Sequence, residues 1–368
     1  MKKIFFFFLI FIAFFTSYFL KNFQILLLSF SLLTLLGLFF KKINKNITIT
    51  LFSILISLTI IEIFLKYMTG QKILNLENSK NFNQNIRYQK SYLGFQPLPG
   101  KQNHLIVANG KKLINSTYTI DIDGFRNTPI IQNNSKSLDI NFFGGSFVFG
   151  WGLNDNETLP HLVQNHFNNW NIKNYGISGY GVHQMMAQIN NDIKTIGDIN
   201  FLITHNAHIP RAACKKDYSF GTPRYILNDN GEVKRSGFCN NFFITTTQLP
   251  KIFGSIINRS ELKKLFDKYF YRRSEFSLND IKLYTSIIKK INEQILRENK
   301  YFFVGYIKND LKKIDRKIID FLKKNEIKLI DLTLEDNDNY ELYDGHPNKE
   351  ANIMRSRIIW TFLKDMKF

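Results

Sequence analysis

Apolar positions are arranged along this chain in two different ways. Residues 4–20, 23–40 and 47–64 are three near-continuous apolar runs. Each is about 17–18 residues long, the lower end of what a helix needs to cross about 30 Å of hydrocarbon. The pattern therefore predicts three transmembrane helices. A cleaved signal peptide is the alternative for the first run, but two more runs follow closely and no A-x-A site stands after it.

From Leu138 onward the apolar runs are short and alternate with segments of helical period. The pattern predicts strands over 139–143, 172–175, 199–204, 301–307 and 327–332. It predicts helices over 182–196, 278–298, 311–325 and 349–364, and one N-capped by Thr158 that carries Leu159, Leu162, Val163 and Phe167. Continuous apolar strands alternating with helices imply an α/β fold with a parallel sheet covered on both faces. In such sheets the functional loops gather at the carboxyl ends of the strands. Residues 69–137 read as a polar lead-in with short strands, among them 117–122 before the Asp123-Gly124 turn. Residues 207–275 read as a long irregular insertion within a domain that covers 138–368.

Charge orients this arrangement. Residues 1–68 hold seven lysines and one acid, Glu62, so +6 of the net +19 belongs there and +13 to the rest. Lys2 and Lys3 precede the first run, Lys41, Lys42 and Lys45 lie between the second and third, and Lys21 lies between the first and second. The positive-inside rule places the N-terminus in the cytoplasm and everything after Met68 on the far side. Glu62 reads as an interfacial residue near the end of the third run, or as an intramembrane carboxylate. With 44% hydrophobic residues and two cysteines, the chain is neither disordered nor a disulfide scaffold. Cys214 and Cys239 are expected to be either a disulfide or two buried thiols. The exported lysines form no stripe, so no nucleic-acid partner is expected, and an acidic polysaccharide or anionic headgroup suits the positive field better. The seven histidines show no metal-ligand spacing, so no metal and no cofactor is expected.

Four segments can carry chemistry. Gly144-Gly145-Ser146 follows an apolar strand and holds a hydroxyl on a sharp turn; Trp151-Gly152 stands where a phosphate loop needs Lys-Ser/Thr. Ser178-Gly179 can present a backbone N–H to an oxyanion, or be a plain turn. In the segment from Thr204 to Arg211, Asn206 offers a side-chain amide. His208 and Arg211 there are either ligands for an anionic substrate or a structural corner. Asp344-Gly345-His346 precedes the last helix; residues two apart on an extended backbone share a side, so Asp344 can orient His346. Together with Ser146 this fits the nucleophile, base and orienter logic of serine hydrolases.

The ordered set Gly-x-Ser146, Ser178-Gly179, Asn206 and Asp344-x-His346 resembles the four blocks of the SGNH/GDSL hydrolase superfamily over residues 138–366. The lead-in, the Gly221-Thr222-Pro223-Arg224-Tyr225 segment and the membrane spans resemble bacterial membrane-anchored members. The resemblance implies a three-layer αβα, flavodoxin-like domain. It implies Ser146 as nucleophile, His346 as base and Asp344 as its orienter, with an oxyanion hole made by the N–H groups of Ser146 and Gly179 and the Asn206 side chain. Two departures stand out. Gly145 replaces the usual Asp of Gly-Asp-Ser, and Asp-x-His replaces Asp-x-x-His, a spacing similar to alginate O-acetylation proteins. The expected function is a membrane-anchored esterase acting on esterified envelope polysaccharides or small acyl esters. An O-acyltransferase with the same site, or a degenerate glycan-binding scaffold, is the alternative. The expected location is the bacterial inner membrane, multi-pass through residues 1–68, with the catalytic domain outside the cytoplasm.

Overall fold

The computed structural model describes residues 31, 45–74, 82–108, 110–128, 138–167, 170–191, 195–216, 219, 221–239, 277–308, 312–335 and 338–366. The chain divides into two compact units, residues 1–79 with 241–275, and residues 80–240 with 276–368. The first two expected membrane spans lie outside the described residues, Ser31 excepted.

In the first unit the third apolar run forms helix α1 (Lys45–Leu74). Its segment Lys45–Tyr67 has 23 residues and contains an 18-residue window with a mean hydropathy of 2.3, long and apolar enough to cross a membrane. Ile47, Ile54, Ile60 and Phe64 are exposed, so the helix presents apolar side chains outward. Thr50, Ser53, Ser57 and Thr59 each donate their hydroxyl to the carbonyl four residues back, which satisfies these polar groups within the helix. The helix runs on to Leu74, beyond the end the apolar run suggests. Glu62 lies within this helix and is buried.

The second unit is built on five parallel strands. They are β6 (Asp139–Gly144), β7 (Asn171–Asn174), β8 (Ile199–Thr204), β11 (Tyr301–Tyr306) and β12 (Leu329–Asp331), in the order β12-β11-β8-β6-β7. Every residue of β8 is buried, as its unbroken apolar run requires of a central strand. Register places Phe142 beside Phe201, whose rings stack 4.9 Å apart. The sheet order reverses between β6 and β8, which puts a crevice at their carboxyl ends.

Helices cover both faces. On one side α4 (Val182–Asn191), α6 (Leu278–Arg297) and α7 (Lys312–Lys324) pack Met185, Ile288, Ile291 and Ile318 with Leu202 and Val304. On the other, α3 (Leu159–Gln164) and α8 (Lys349–Asp365) pack Leu159, Val163, Ile359 and Leu363 with Ile140, Phe201 and Phe303. The Thr158 hydroxyl caps α3 by accepting from His161 N–H.

The lead-in is more regular than its sequence suggests. The strands β4 (Gly100–Ala108) and β5 (Lys111–Ile120) form a long antiparallel hairpin, joined at its edge by β1 (Phe82–Gln84). The strands β2 (Tyr88–Ser91) and β3 (Gly94–Pro97) form a second hairpin. Arg126 bridges both Ile120 and Asn174, tying this region to the edge strand β7. The expected irregular insertion is likewise part regular. It opens with the short helix α5 (Ile209–Ala212), continues into the hairpin β9 (Pro223–Leu227) and β10 (Val233–Phe238), and Cys214 and Cys239 are disulfide-bonded.

Candidate active site

Ser146 opens α2 (Ser146–Phe149), a single helical turn directly after β6, with Gly145 as its N-cap. As the first helical residue, its N–H has no partner inside the helix. On the far side of the crevice, the loop before α8 is held as a tight turn. Leu342 N–H donates to His346 C=O at 2.7 Å, Gly345 N–H donates to Leu342 C=O, and Gly345 has a φ of +82°. Asn348 then caps α8 through Ala351 N–H and donates to Asn339 C=O.

These two elements bring together residues that are 200 positions apart. His346 Nε2 lies 2.9 Å from Ser146 Oγ. His346 Nδ1 lies 3.0 Å from Asp344 Oδ2, although the contact falls short of a linear hydrogen bond. Asp344 Oδ1 also accepts from the His346 backbone N–H at 3.3 Å. The sequence reading has these two residues sharing a side of an extended backbone; instead the Gly345 turn folds the carboxylate onto the imidazole. A proton on Nδ1 facing Asp344 leaves the Nε2 lone pair for the Ser146 O–H. Burial pulls the His346 pKa down and the Asp344 charge pushes it back up; burial prevails, so the ring is neutral at pH 7.

The other sequence candidates fall in different surroundings. Gly179, with a φ of +88°, turns the chain between Ile177 and Tyr180, whose N–H donates to Ile177 C=O at 3.0 Å. A turn of this kind leaves the Gly179 N–H outside its own hydrogen bond. Asn206 follows β8, as the pattern requires, but its side-chain amide donates to Asp315 Oδ1 at 2.9 Å. Asp315 also accepts from Tyr306 O–H at 2.7 Å.

His208, read from the sequence either as a ligand or as part of a structural corner, is buried. It is 2% exposed, and its Nδ1 is 2.9 Å from Thr204 Oγ1 in a chain that continues to Tyr284 O–H. Arg211 donates to Tyr180 C=O at 2.7 Å. A Cβ on Gly145 would stand 2.8 Å from Arg211 Nη1 and 2.9 Å from His208 Nε2. These two side chains therefore crowd the space in front of Gly145 and leave no room there for a larger residue.

Several residues that shape the site were absent from the sequence candidates. Trp151 Nε1 donates to Asp344 Oδ2 at 3.1 Å, and its ring stands between His346 and His104, 5.9 and 4.3 Å away. His104 Nδ1 pairs with Tyr118 O–H at 2.6 Å, and the same hydroxyl accepts from Gly152 N–H. Burial pulls the His104 pKa down to about 4, so it packs as a neutral ring. Arg126 spends all its donors on this region: Nε on Asp155, Nη1 on the carbonyls of Phe149 and Gly150, Nη2 on those of Thr117 and Leu153. It thereby fixes the 149–153 loop that carries Trp151. The available signal was the Gly150-Trp151-Gly152 run, which composition alone marks only as a turn.

No protein-family model matches the chain, and no curated protein matches it. Its fold is similar to solved structures of GDSL lipolytic proteins and carbohydrate esterases. One is a member of the lipolytic protein G-D-S-L family from Veillonella parvula DSM 2008, at 13% identity, 62% of this chain, 99% of that chain and a TM-score of 0.37. Another is a variant of an acetyl-xylooligosaccharide esterase from Geobacillus Stearmophilus, at 11% identity, 64% and 97% coverage and a TM-score of 0.33. A third is a psychrotrophic esterase from Pseudoalteromonas sp., at 11% identity, 62% and 98% coverage and a TM-score of 0.35.

Proposed function

We propose that this chain is a membrane-anchored serine esterase of the SGNH/GDSL type, acting on acetyl or other short acyl esters of envelope glycans. The observation that carries the reading is the Ser146–His346–Asp344 alignment, at 2.9 Å and 3.0 Å. Ser146 Oγ attacks the ester carbonyl as His346 Nε2 takes its proton, and the imidazolium formed is stabilised by Asp344. The tetrahedral oxyanion is received by the N–H groups of Ser146 and Gly179, with Asn206, anchored by Asp315, as the third candidate donor. His346 then returns the proton to the leaving alkoxide, and water hydrolyses the acyl-enzyme by the reverse sequence. The chemistry asks for no metal or cofactor.

The apolar helix Lys45–Tyr67 and the Cys214–Cys239 disulfide support a bilayer anchor and an oxidising, extracytoplasmic location. The short Asp344-x-His346 spacing favours, as a second reading, an O-acyltransferase in which a sugar hydroxyl replaces water. Hydrolysis of p-nitrophenyl acetate by the detergent-solubilised chain tests the first reading. Ser146→Ala is expected to lower turnover by about 10⁴-fold or more while the fold persists. Equal turnover by the variant contradicts it, and acetyl transfer to an added oligosaccharide faster than hydrolysis selects the second.

A further inference from the structure

Asp315 is a carboxylic acid buried to 2% exposure in the first turn of α7. Burying such a group is costly unless hydrogen bonds and a favourable field replace the lost water. Here one oxygen, Oδ1, accepts twice, from Asn206 Nδ2 at 2.9 Å and from Tyr306 O–H at 2.7 Å. The N-terminal end of a helix also favours negative charge. Burial, with Tyr284 and Asp315 nearby, pushes the Tyr306 pKa up, so the phenol keeps its proton and donates.

These residues converge on the strand ends that carry the nucleophile. In β11, Tyr306 stands opposite Thr204 of β8, two residues before Asn206. On its other side β8 pairs with β6, the strand that leads to Ser146, with Gly144 opposite Ile203. The chain neighbours of the two site residues meet directly: the His205 ring stacks on the Phe147 ring, centroids 4.8 Å apart and planes 13° apart. Asn206 thus stands beside the nucleophile turn, and Asp315 reaches it from α7.

An asparagine amide has a donor end and an acceptor end of nearly equal shape, so packing alone does not decide which end faces an oxyanion. A fixed acceptor beside it does. We infer that Asp315 is the positioning residue of the oxyanion hole. Its Oδ1 takes one Nδ2 hydrogen of Asn206 and holds the amide in the orientation whose second Nδ2 hydrogen serves the developing oxyanion, while Tyr306 holds the carboxyl group in turn. A reversed amide would turn its carbonyl oxygen toward both Asp315 and the oxyanion and be repelled by each. This rests on the esterase reading.

The test is a double-mutant cycle on the full chain in detergent, with p-nitrophenyl acetate as substrate. Asn206→Ala is expected to lower kcat about 10²-fold, the usual worth of one oxyanion donor. Asp315→Ala should lower kcat about tenfold or more with KM changed less than about twofold. Asp315→Asn should lower it about threefold, because an amide there can turn either end toward Asn206. In the Asn206→Ala protein, either Asp315 substitution should cost less than about twofold more, since no amide is left to orient. Wild-type kcat in Asp315→Asn, or losses that multiply in full in the double variants, overturns the inference. A merely structural role would lower the unfolding midpoint, and its effect on kcat would persist in the Asn206→Ala background. If Asp315→Ala does not fold, the Asp315→Asn arm decides by the same criteria. Labelling of Ser146 by a fluorophosphonate, whose P=O oxygen also gains negative charge on attack, separates the two readings. Slower labelling of Asp315→Asn than of wild type supports the role, and equal rates overturn the role alone. A wild type that neither turns over nor labels overturns the esterase reading and the role with it.

Discussion

Trp151 Nε1 donates to Asp344 Oδ2, the same oxygen that lies 3.0 Å from His346 Nδ1. The carboxylate is thus steered from a loop 193 positions away, which Arg126 and Tyr118 in turn hold in place. The close Asp-x-His spacing leaves the carboxylate at an imperfect angle to its own histidine, and the indole is the group that fixes it. Trp151→Phe keeps the ring and removes the donor. It is expected to lower kcat about tenfold with KM little changed, since a hydrogen bond to a charged group is worth about 1.5–3 kcal/mol. Without the indole the Asp344 charge is less delocalised and pulls harder on the imidazolium, so the acid limb of the pH–rate profile moves up. A variant with wild-type kcat and an unmoved limb contradicts the positioning role.

The pH dependence of the wild type follows from His346. Burial sets its pKa below the ordinary 6.5, and only the neutral ring accepts the serine proton. The value of kcat/KM is expected to be flat around pH 7 and to fall as pH drops through a midpoint below 6.5. A midpoint above 6.5, measured on a neutral p-nitrophenyl ester, contradicts it.

Buried histidines also tie stability to pH. Burial pulls His183 and His205 down to about 3 and His208 well below its ordinary value, while in the unfolded chain each titrates near 6.5. Below pH 6.5 the unfolded state binds protons that the folded state refuses, so stability is complete above 6.5 and is lost as pH falls toward 3. Each histidine contributes up to about 1.4 kcal/mol per pH unit in that window. Denaturant unfolding between pH 5 and 6.5 measures the slope, and His183→Asn should flatten it by one histidine's share. A pH-independent midpoint over this range contradicts the assignment.

At Gly145, any side chain should do harm. A Cβ there meets Tyr180 C=O at 3.0 Å as well as Arg211 and His208. Gly145→Ala is expected to cost about 1–3 kcal/mol in unfolding free energy, and Gly145→Asp more. Unfolding midpoints equal to wild type, with activity kept, would show that the corner yields freely.

The central strands were legible because they are buried on both faces: 199–204 reads as an apolar run and is the strand Ile199–Thr204. Helix starts were legible where a cap marks them: α3 starts at its Thr158 cap. The β4–β5 hairpin was missed in part because Lys101, Asn103 and His104 are polar although His104 is wholly buried. Its Nδ1 pairs with Tyr118, a partner 14 residues away that no local pattern announces. Within the site, Ser146, Asp344 and His346 were visible as residue types at loop positions after strands or before a helix. Trp151 and Arg126 were not, because their roles come from contacts made across the fold.

The most direct test of the central claim is mass-spectrometric mapping of the adduct formed by a fluorophosphonate probe on the intact chain. A single covalent adduct on Ser146 is predicted, with labelling strongly slowed in His346→Ala because the hydroxyl then lacks its base. Labelling at another residue, or at Ser146 with the same rate in both proteins, would contradict the account.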